Sequence, residues 1–380
     1  MDTSIGLDAH KEVCQVAVLR RDGIRQTPAG TQYRFETNKQ VASTQKALTM
    51  AFKDLAGATV LLEASTVSRP IAEWLRAAGM NVIIADPNYE MMYAHRKQGR
   101  KTDRADAEAL AVALYAGHYR KIHEVSPEQR EMRKLLGIRG RLIKDRTEHK
   151  NAIYAIYCAE GVKITRAEIV RMLKAVKGDD VSEIDERVRD LVVYDVSIGR
   201  SLNKQIDRLD QQIKTTAESS ERVKRMTTVP GVGPVVAATF VSVIDDVSRF
   251  SNAGQVASYL GLVPRVYASA GKETTGGISK QGSKYLRAVL LQAALMMARS
   301  KDPRVKALIE WRDQLAARRG RKLANVALSR RIAEILFAML RDGTSFGNPK
   351  PRRAKSATGE EQPIRQYTVR PWSPPAAVPN

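Results

Sequence analysis

The sequence predicts a chain in two parts, a mixed α/β sheet domain first and a mainly α-helical remainder after it. Three observations predict this. Up to about residue 125, short apolar runs bounded by turn residues alternate with stretches of helical spacing. From Pro127 onward, apolar residues recur almost only at helical spacing. Across both parts lies a formal net charge of +22 on 380 residues, with a pI near 10. A field of that sign and size suits a polyanion, because each neutralised phosphate releases condensed counterions. A solvated surface with no particular partner is the plainer alternative.

The elements follow in order. "SIGLDAHKEVCQVAVLR" holds two short apolar runs around a polar break and reads as a hairpin, with "YRFET" as a third strand. "TQKALTMAFKDLA" has helical spacing, "ATVLLEAS" is a buried type of strand, and "VSRPIAEWLRAAG" is a helix stopped at Gly79. "NVIIADP" is a further strand ended by Pro87, and "KTDRADAEAL" is helical.

From Pro127 to Glu221, positions such as Leu191, Ile198, Leu202, Ile206, Leu209 and Ile213 mark two long amphipathic helices, with "VKGDDVSE" as the break between them. Such a pair can form coiled-coil or dimer contacts, or an ordinary helical hairpin within the chain; spacing leaves both open. From Thr228 the pattern is that of a compact helical domain: "VPGVGPVVAATFVSVI", "NAGQVASYLGL", a long polar loop, then "KYLRAVLLQAALMMA". The last residues, from 347 to 380, form a proline-rich basic tail expected to be disordered.

Cys14 and Cys158 are the only cysteines, which excludes a disulfide framework and a cysteine-rich zinc site and fits a reducing cytoplasm. The opening "MDTSIGLDAHKE" has no basic region leading into an apolar stretch, so no signal peptide is expected. No apolar run is long enough for a membrane span, and no membrane partner is expected.

Four carboxylates are the candidate metal ligands. Asp8 and Glu63 each close an apolar strand, where a charge is costly unless something pairs with it. Asp103 and Asp106, three residues apart, share one face of a helix. Hard oxygen ligands converging in this way suit Mg²⁺ or Mn²⁺, and paired ions of that kind can serve both oxygens of a phosphoryl transfer. Each residue also has an ordinary alternative: Asp103 as a helix cap, Asp106 as a surface ion-pair partner, Asp8 as a turn residue, Glu63 as a cap for the next helix.

The second informative stretch is "PRVYASAGKETTGGISKQGSKYLR". Glycines allow a close approach of backbone to phosphate, and Lys272, Lys280 and Lys284 add charge. The hydroxyl of Ser269 or of Tyr267 could attack a phosphodiester once activated by neighbouring cations; a basic loop that only binds DNA is the alternative. Lys101, Arg104 and Arg265 are further candidates for contacts to nucleic acid. "PGVGP" reads either as a helix-hairpin-helix turn that holds a phosphate or as a helix start.

In this order, "IGLDAHK", "LLEAS", "KTDRADAEAL", "VPGVGPVVAATFVSVI", "ASYLGLVPRVYASAGK" and "ISKQGSKYLRAVLLQAA" closely resemble the DEDD-type insertion-sequence transposases of the IS110 family, now understood as bridge-RNA-guided recombinases. The resemblance runs over roughly residues 4 to 345 and leaves the tail uncovered. It implies a RuvC-like, RNase H-fold domain over residues 1–125, a helical coiled-coil segment over 126–222 and a C-terminal transposase domain over 223–346. Matched position by position, the acidic tetrad is Asp8, Glu63, Asp103 and Asp106, and the nucleophilic serine is Ser269. The resemblance also implies Mg²⁺ (or Mn²⁺), donor and target DNA, and a structured noncoding guide RNA that reads sequence by base pairing. It further implies a covalent phosphoserine intermediate, a dimer to tetramer with the site built between protomers, and a bacterial, nucleoid-associated location. The competing expectation is a RuvC-like metal-dependent endonuclease that hydrolyses junction DNA without the serine.

Overall fold

The computed structural model describes residues 3–28, 30–94, 102–174, 184–269 and 272–347. Lys101, the expected break "VKGDDVSE" and the tail from residue 348 lie outside the described residues. The chain divides into two compact units, Met1–Glu124 and Val125–Asn380.

The first unit opens with a meander of β1 (Thr3–Ala9), β2 (Val13–Thr27) and β3 (Gly30–Ala42), followed by helix α1 (Gln45–Phe52). Strand β4 (Thr59–Glu63), helix α2 (Ser68–Ala77), strand β5 (Asn81–Ala85) and helix α3 (Asp103–Ala116) complete it. The sheet order is β3-β2-β1-β4-β5, with β2 antiparallel to both neighbours and β4 parallel to β1 and β5. This mixed α/β unit agrees with the RNase H-like expectation.

Alternation along the strands sorts the two faces. Ile5, Leu7, Val16 and Val18 pack against Leu48, Phe52, Ile71 and Leu75 of α1 and α2. On the opposite face α3 covers the sheet, with Ala107 and Ala111 beside Ala17 and Leu19, and Leu110 and Leu114 beside Leu61. With both faces covered, the inner strands have no polar face to show, so "SIGLDA" and "TVLLE" read as nearly unbroken apolar runs. The contact of α3 with β1 depends on Gly6. A Cβ there would lie 2.0 Å from the Ala107 carbonyl oxygen and 2.4 Å from the Ala111 nitrogen.

In the second unit α4 (Pro127–Ala159) and α6 (Glu186–Glu218) run antiparallel, as the pairs Arg139–Asp210, Arg146–Asn203 and His149–Asp195 show. Between them in sequence comes α5 (Arg166–Lys174), a short helix that the sequence reading did not separate. Ile169, Met172 and Leu173 of α5 join Ile153, Val188 and Val192 in a core of their own.

The remaining elements are α7 (Glu221–Met226), α8 (Pro234–Ile244), α9 (Ala253–Tyr259), strands β6 (Pro264–Ser269) and β7 (Lys272–Ile278), then α10 (Lys284–Met297), α11 (Lys306–Arg319) and α12 (Arg321–Asp342). Phe240, Val256, Leu290, Ile332 and Phe337 form their core, which also takes in Met132 of α4 and Ile213 of α6. The C-terminal carbonyls of α8 are satisfied by three guanidinium groups. Arg133 donates to Ser242 O at 2.6 Å and Val243 O at 3.0 Å, Arg249 to Ile244 O at 3.0 Å, and Arg222 to Asp245 O at 3.2 Å. Among the described residues, no helix is long and apolar enough to cross a membrane.

Candidate metal centre and serine hairpin

The strand register explains where the carboxylates go. Gly6 pairs with Leu61 across the parallel β1–β4 ladder, so Asp8 and Glu63, two residues further along, emerge on the same face at the same end of the sheet. That face is the one α3 covers. Asp106 and Leu110 share one side of α3, which turns Asp106 inward to 8% exposure, while Asp103 lies one turn nearer the helix start with 59% of its side chain exposed. Thr102 supplies the cap: its hydroxyl accepts a bond from the Ala105 N–H at 3.2 Å. Asp103 is therefore the first helical residue and not the cap, and Asp106 is not a solvated surface charge. Both acids stand in the first turn, where the helix dipole favours them.

Asp8 is 5% exposed in β1 and pairs with Gln15 of β2, inside the strand and not at a turn. Its Oδ2 lies 3.1 Å from His10 Nε2, and the same nitrogen lies 3.6 Å from Asp103 Oδ1. One donor atom from each of Asp8, His10 and Asp103 falls within 4.8 Å of the other two. Burial pushes the Asp8 carboxyl up from the usual carboxylate range. His10 counteracts this by charge and hydrogen bond, while the negative charges of Glu63 and Asp103 add to the rise. Glu63 accepts a hydrogen bond on Oε2 from the Tyr93 hydroxyl, so it caps no helix. A buried carboxylate raised by two like-charged neighbours is a place where a cation lowers the energy of the folded chain. The donors are mostly hard oxygens, which fits a divalent cation.

A polar relay holds α3 over this end of the sheet. Gln15 donates to Asn38 Oδ1, and Asn38 Nδ2 donates to Glu108 Oε1 at 2.6 Å. Arg104, a candidate for nucleic-acid contact, also reaches Glu108 Oε1 at 3.3 Å and is otherwise exposed. The sequence reading missed His10, Tyr93 and Glu108. His10 could have been found from the "DAH" spacing, since residues two apart on a strand share a face. Tyr93 and Glu108 carried no such signal.

In the second unit, "PRVYASAGKETTGGI" is an antiparallel hairpin and not the long polar loop expected. Val266, Tyr267, Thr274 and Thr275 are strand-forming residue types, but the stretch is mostly polar, and that polarity disguised it. Ser269 closes β6, in backbone register with Lys272. The base of the hairpin is tightly held. Gly261 and Gly282 both have positive φ, and a Cβ at Gly282 would lie 2.1 Å from the Tyr259 carbonyl oxygen. Arg287 donates to Leu260 O at 3.1 Å and Gly282 O at 3.2 Å. Arg265, Lys280 and Lys284 are exposed around it. "PGVGP" forms the turn between α7 and α8, and Pro234 begins α8.

A model described as the transposase of DEDD type from IS110 matches residues 5–156. A second, described as the transposase of the IS116/IS110/IS902 family, matches residues 223–310. Among individual proteins, the chain is 29% identical over 298 residues to a probable family 20 transposase of Pseudomonas aeruginosa, covering 78% of this chain and 87% of that one. It is 29% identical over 247 residues to the transposase for insertion sequence element IS1111A of Coxiella burnetii, covering 64% of this chain and 67% of that one. It is also 25% identical over 284 residues to the pilin gene-inverting protein of Moraxella lacunata, covering 73% of this chain and 77% of that one. With both models matched in order, the first across the carboxylates and the second across the serine hairpin, this chain belongs to the IS110 family of DEDD transposases.

Proposed function

We propose that the chain is the transposase of an insertion sequence. It cuts and exchanges strands of donor and target DNA through a phosphoserine at Ser269, with the carboxylates Asp8, Glu63, Asp103 and Asp106 acting at the same phosphate. The observation that carries this reading is the gathering of Asp8, His10 and Asp103 at the rim of the sheet, with Glu63 close enough to raise Asp8, in a chain of this family. Transposase and recombinase chemistry on DNA follows from the family and from relatives that invert or move DNA. The phosphoserine, the RNA guide and the assembly are inferred from the family resemblance.

A divalent cation, Mg²⁺ or Mn²⁺, held by Asp8 and Asp103 with Glu63 and Asp106 beside them would polarise the scissile phosphate and neutralise charge building on its oxygens. In the cleavage step Ser269 Oγ forms a bond to phosphorus and one bridging P–O bond of the DNA breaks. The serine proton leaves, and the departing DNA oxygen takes one up. In the exchange step a DNA hydroxyl attacks the phosphoserine, restoring a phosphodiester and freeing the serine. One ester replaces another at each step, so no external energy source is needed.

Arg104, Arg265, Lys272, Lys280 and Lys284, with Lys101, are assigned to phosphate contacts that position nucleic acid without reading its sequence. The net charge of +22 supports a guide RNA as the reader of sequence. Self-association into a dimer or tetramer through the 126–222 segment is supported by Leu191, Tyr194 and Ile198, which stand 53%, 76% and 45% exposed along one side of α6.

The test uses the full chain with its guide RNA and donor and target DNA. Asp103→Asn and Asp106→Asn should each stop strand exchange while RNA binding persists; exchange at the wild-type rate would remove them from the site. The alternative, hydrolysis by a RuvC-like endonuclease, is supported by the lodging of all four carboxylates in the first unit. It predicts cleavage that survives Ser269→Ala.

A further inference from the structure

The carboxylate tetrad leaves out a residue that hydrogen-bonds Asp8. His10 lies just past Ala9, where β1 ends, two positions after Asp8, and its contacts to Asp8 and Asp103 place its ring beside the start of α3. Its Nε2 stands between two carboxylates, 3.1 Å from Asp8 Oδ2 and 3.6 Å from Asp103 Oδ1. Donors around an ion at about 2.1 Å in octahedral geometry lie about 3.0 Å apart when cis and about 4.2 Å apart when trans. The two separations from Nε2, 3.1 and 3.6 Å, fall within that range, and the three donor atoms all lie within 4.8 Å of one another.

The backbone of His10 is also fixed. Its carbonyl accepts the Ser43 hydroxyl at 2.7 Å, Ser43 Oγ lies 3.1 Å from the buried Cys14 Sγ, and the Ser43 N–H donates to Glu12 O at 2.8 Å. A surface histidine that merely neutralised two acids would need no such anchoring of its turn. A ligand that must reach one point repeatedly does.

We propose that His10 is a nitrogen ligand, through Nε2, of the divalent cation bound by Asp8 and Asp103, and that it biases the site toward Mn²⁺ over Mg²⁺. The inference rests on the reading of the carboxylates as a cation site. Its selectivity follows from ligand softness: imidazole suits transition metals, whereas Mg²⁺ favours oxygen and gives up its water reluctantly. Asp8 and Asp103 alone would leave a hard site with little preference.

The experiment is Mn²⁺ binding to the full chain without nucleic acid, followed by electron paramagnetic resonance, with ¹⁴N couplings read by electron spin-echo modulation. Wild type should show an imidazole nitrogen coupling that His10→Gln abolishes. The same variant should weaken Mn²⁺ by about tenfold or more, and weaken Mg²⁺, measured by competition, by less. Asp8→Asn serves as the reference for the site itself, and circular dichroism confirms that each variant folds. Because the coupling is read in wild type, a variant that misfolds leaves the test intact. Mn²⁺ that depends on Asp8 but shows no nitrogen coupling would overturn the role of His10 and leave the cation site standing. Mn²⁺ that binds without regard to Asp8 would remove both.

Discussion

The two places in this chain that carry candidate chemistry are supported in opposite ways. The carboxylate rim is held on every side: β1 lies beneath it, α3 presses on Gly6, and the Gln15–Asn38–Glu108 relay ties helix to sheet. The β6–β7 hairpin is held at its base by Gly261, Gly282 and Arg287 and by Ile278 against the helical core, while Arg265 and Val266 on β6 stand exposed. Two strands alone are marginally stable in water. The contrast suits the two tasks. Ligands of an ion must be placed to within about half an ångström, whereas a nucleophile delivered to DNA can be aligned by the DNA itself.

Four perturbations can break or sharpen that contrast. The largest expected effect is chemical: Ser269→Ala should abolish strand exchange while changing stability far less than a core substitution, by about 1 kcal/mol or less. Parallel exchange assays and thermal unfolding check it. Next comes Gly6→Ala, which forces a methyl group into the Ala107 carbonyl. It should cost about 3 kcal/mol or more and remove cation binding, seen as a lower melting temperature of the first unit and loss of the Mn²⁺ signal. The third is Gly282→Ala at the hairpin base, where φ is +69°. The clash with the Tyr259 carbonyl together with that strain should cost about as much as at Gly6, about 3 kcal/mol or more, and slow strand exchange without weakening the cation site. An effect on Mn²⁺ binding would contradict the independence of the two regions.

The smallest effect runs in the stabilising direction. Folding raises the carboxyl of Asp8, chiefly by burial, so the folded chain holds that proton more tightly than the unfolded one. Its contribution is fully present below the ordinary aspartate value and is lost as pH rises through the raised value. At neutral pH the ionised Asp8 therefore costs stability. In chelator, Asp8→Asn should raise the melting temperature at pH 7, with the gap closing as pH falls toward 4. Identical melting curves at both pH values would deny that burial strains this residue.

Much of the first unit was legible in the sequence because β1 and β4 are buried on both faces and α2 and α3 stop at Gly79 and Gly117. "SIGLDA" and "TVLLE" pack as inner strands, "NVIIA" is the edge strand beside the second, and the acids closing the first two had to share an end of the sheet once β1 and β4 were parallel. What lay beyond reading was set by partners distant in sequence. Tyr93 reaches Glu63 across thirty positions and Asn38 reaches Glu108 across seventy, and no local pattern announces either. The serine hairpin was hidden for a different reason. Pattern reading finds strands by their apolar face, and among the described side chains of this ribbon only Ile278 packs against the core. Helix α5 was lost inside a stretch of helical spacing, although Gly161, with φ +66°, marks the turn between α4 and α5.

The central claim is that Ser269 and the carboxylate rim act on one phosphate. The most direct measurement is to quench the reaction of the full chain with guide RNA, DNA and Mg²⁺ in denaturant and map any DNA-linked peptide by mass spectrometry. The account predicts a nucleotide adduct on Ser269 that forms in wild type and is absent from Asp103→Asn. Cleaved DNA whose ends carry no protein, formed at the same rate by Ser269→Ala, would contradict it.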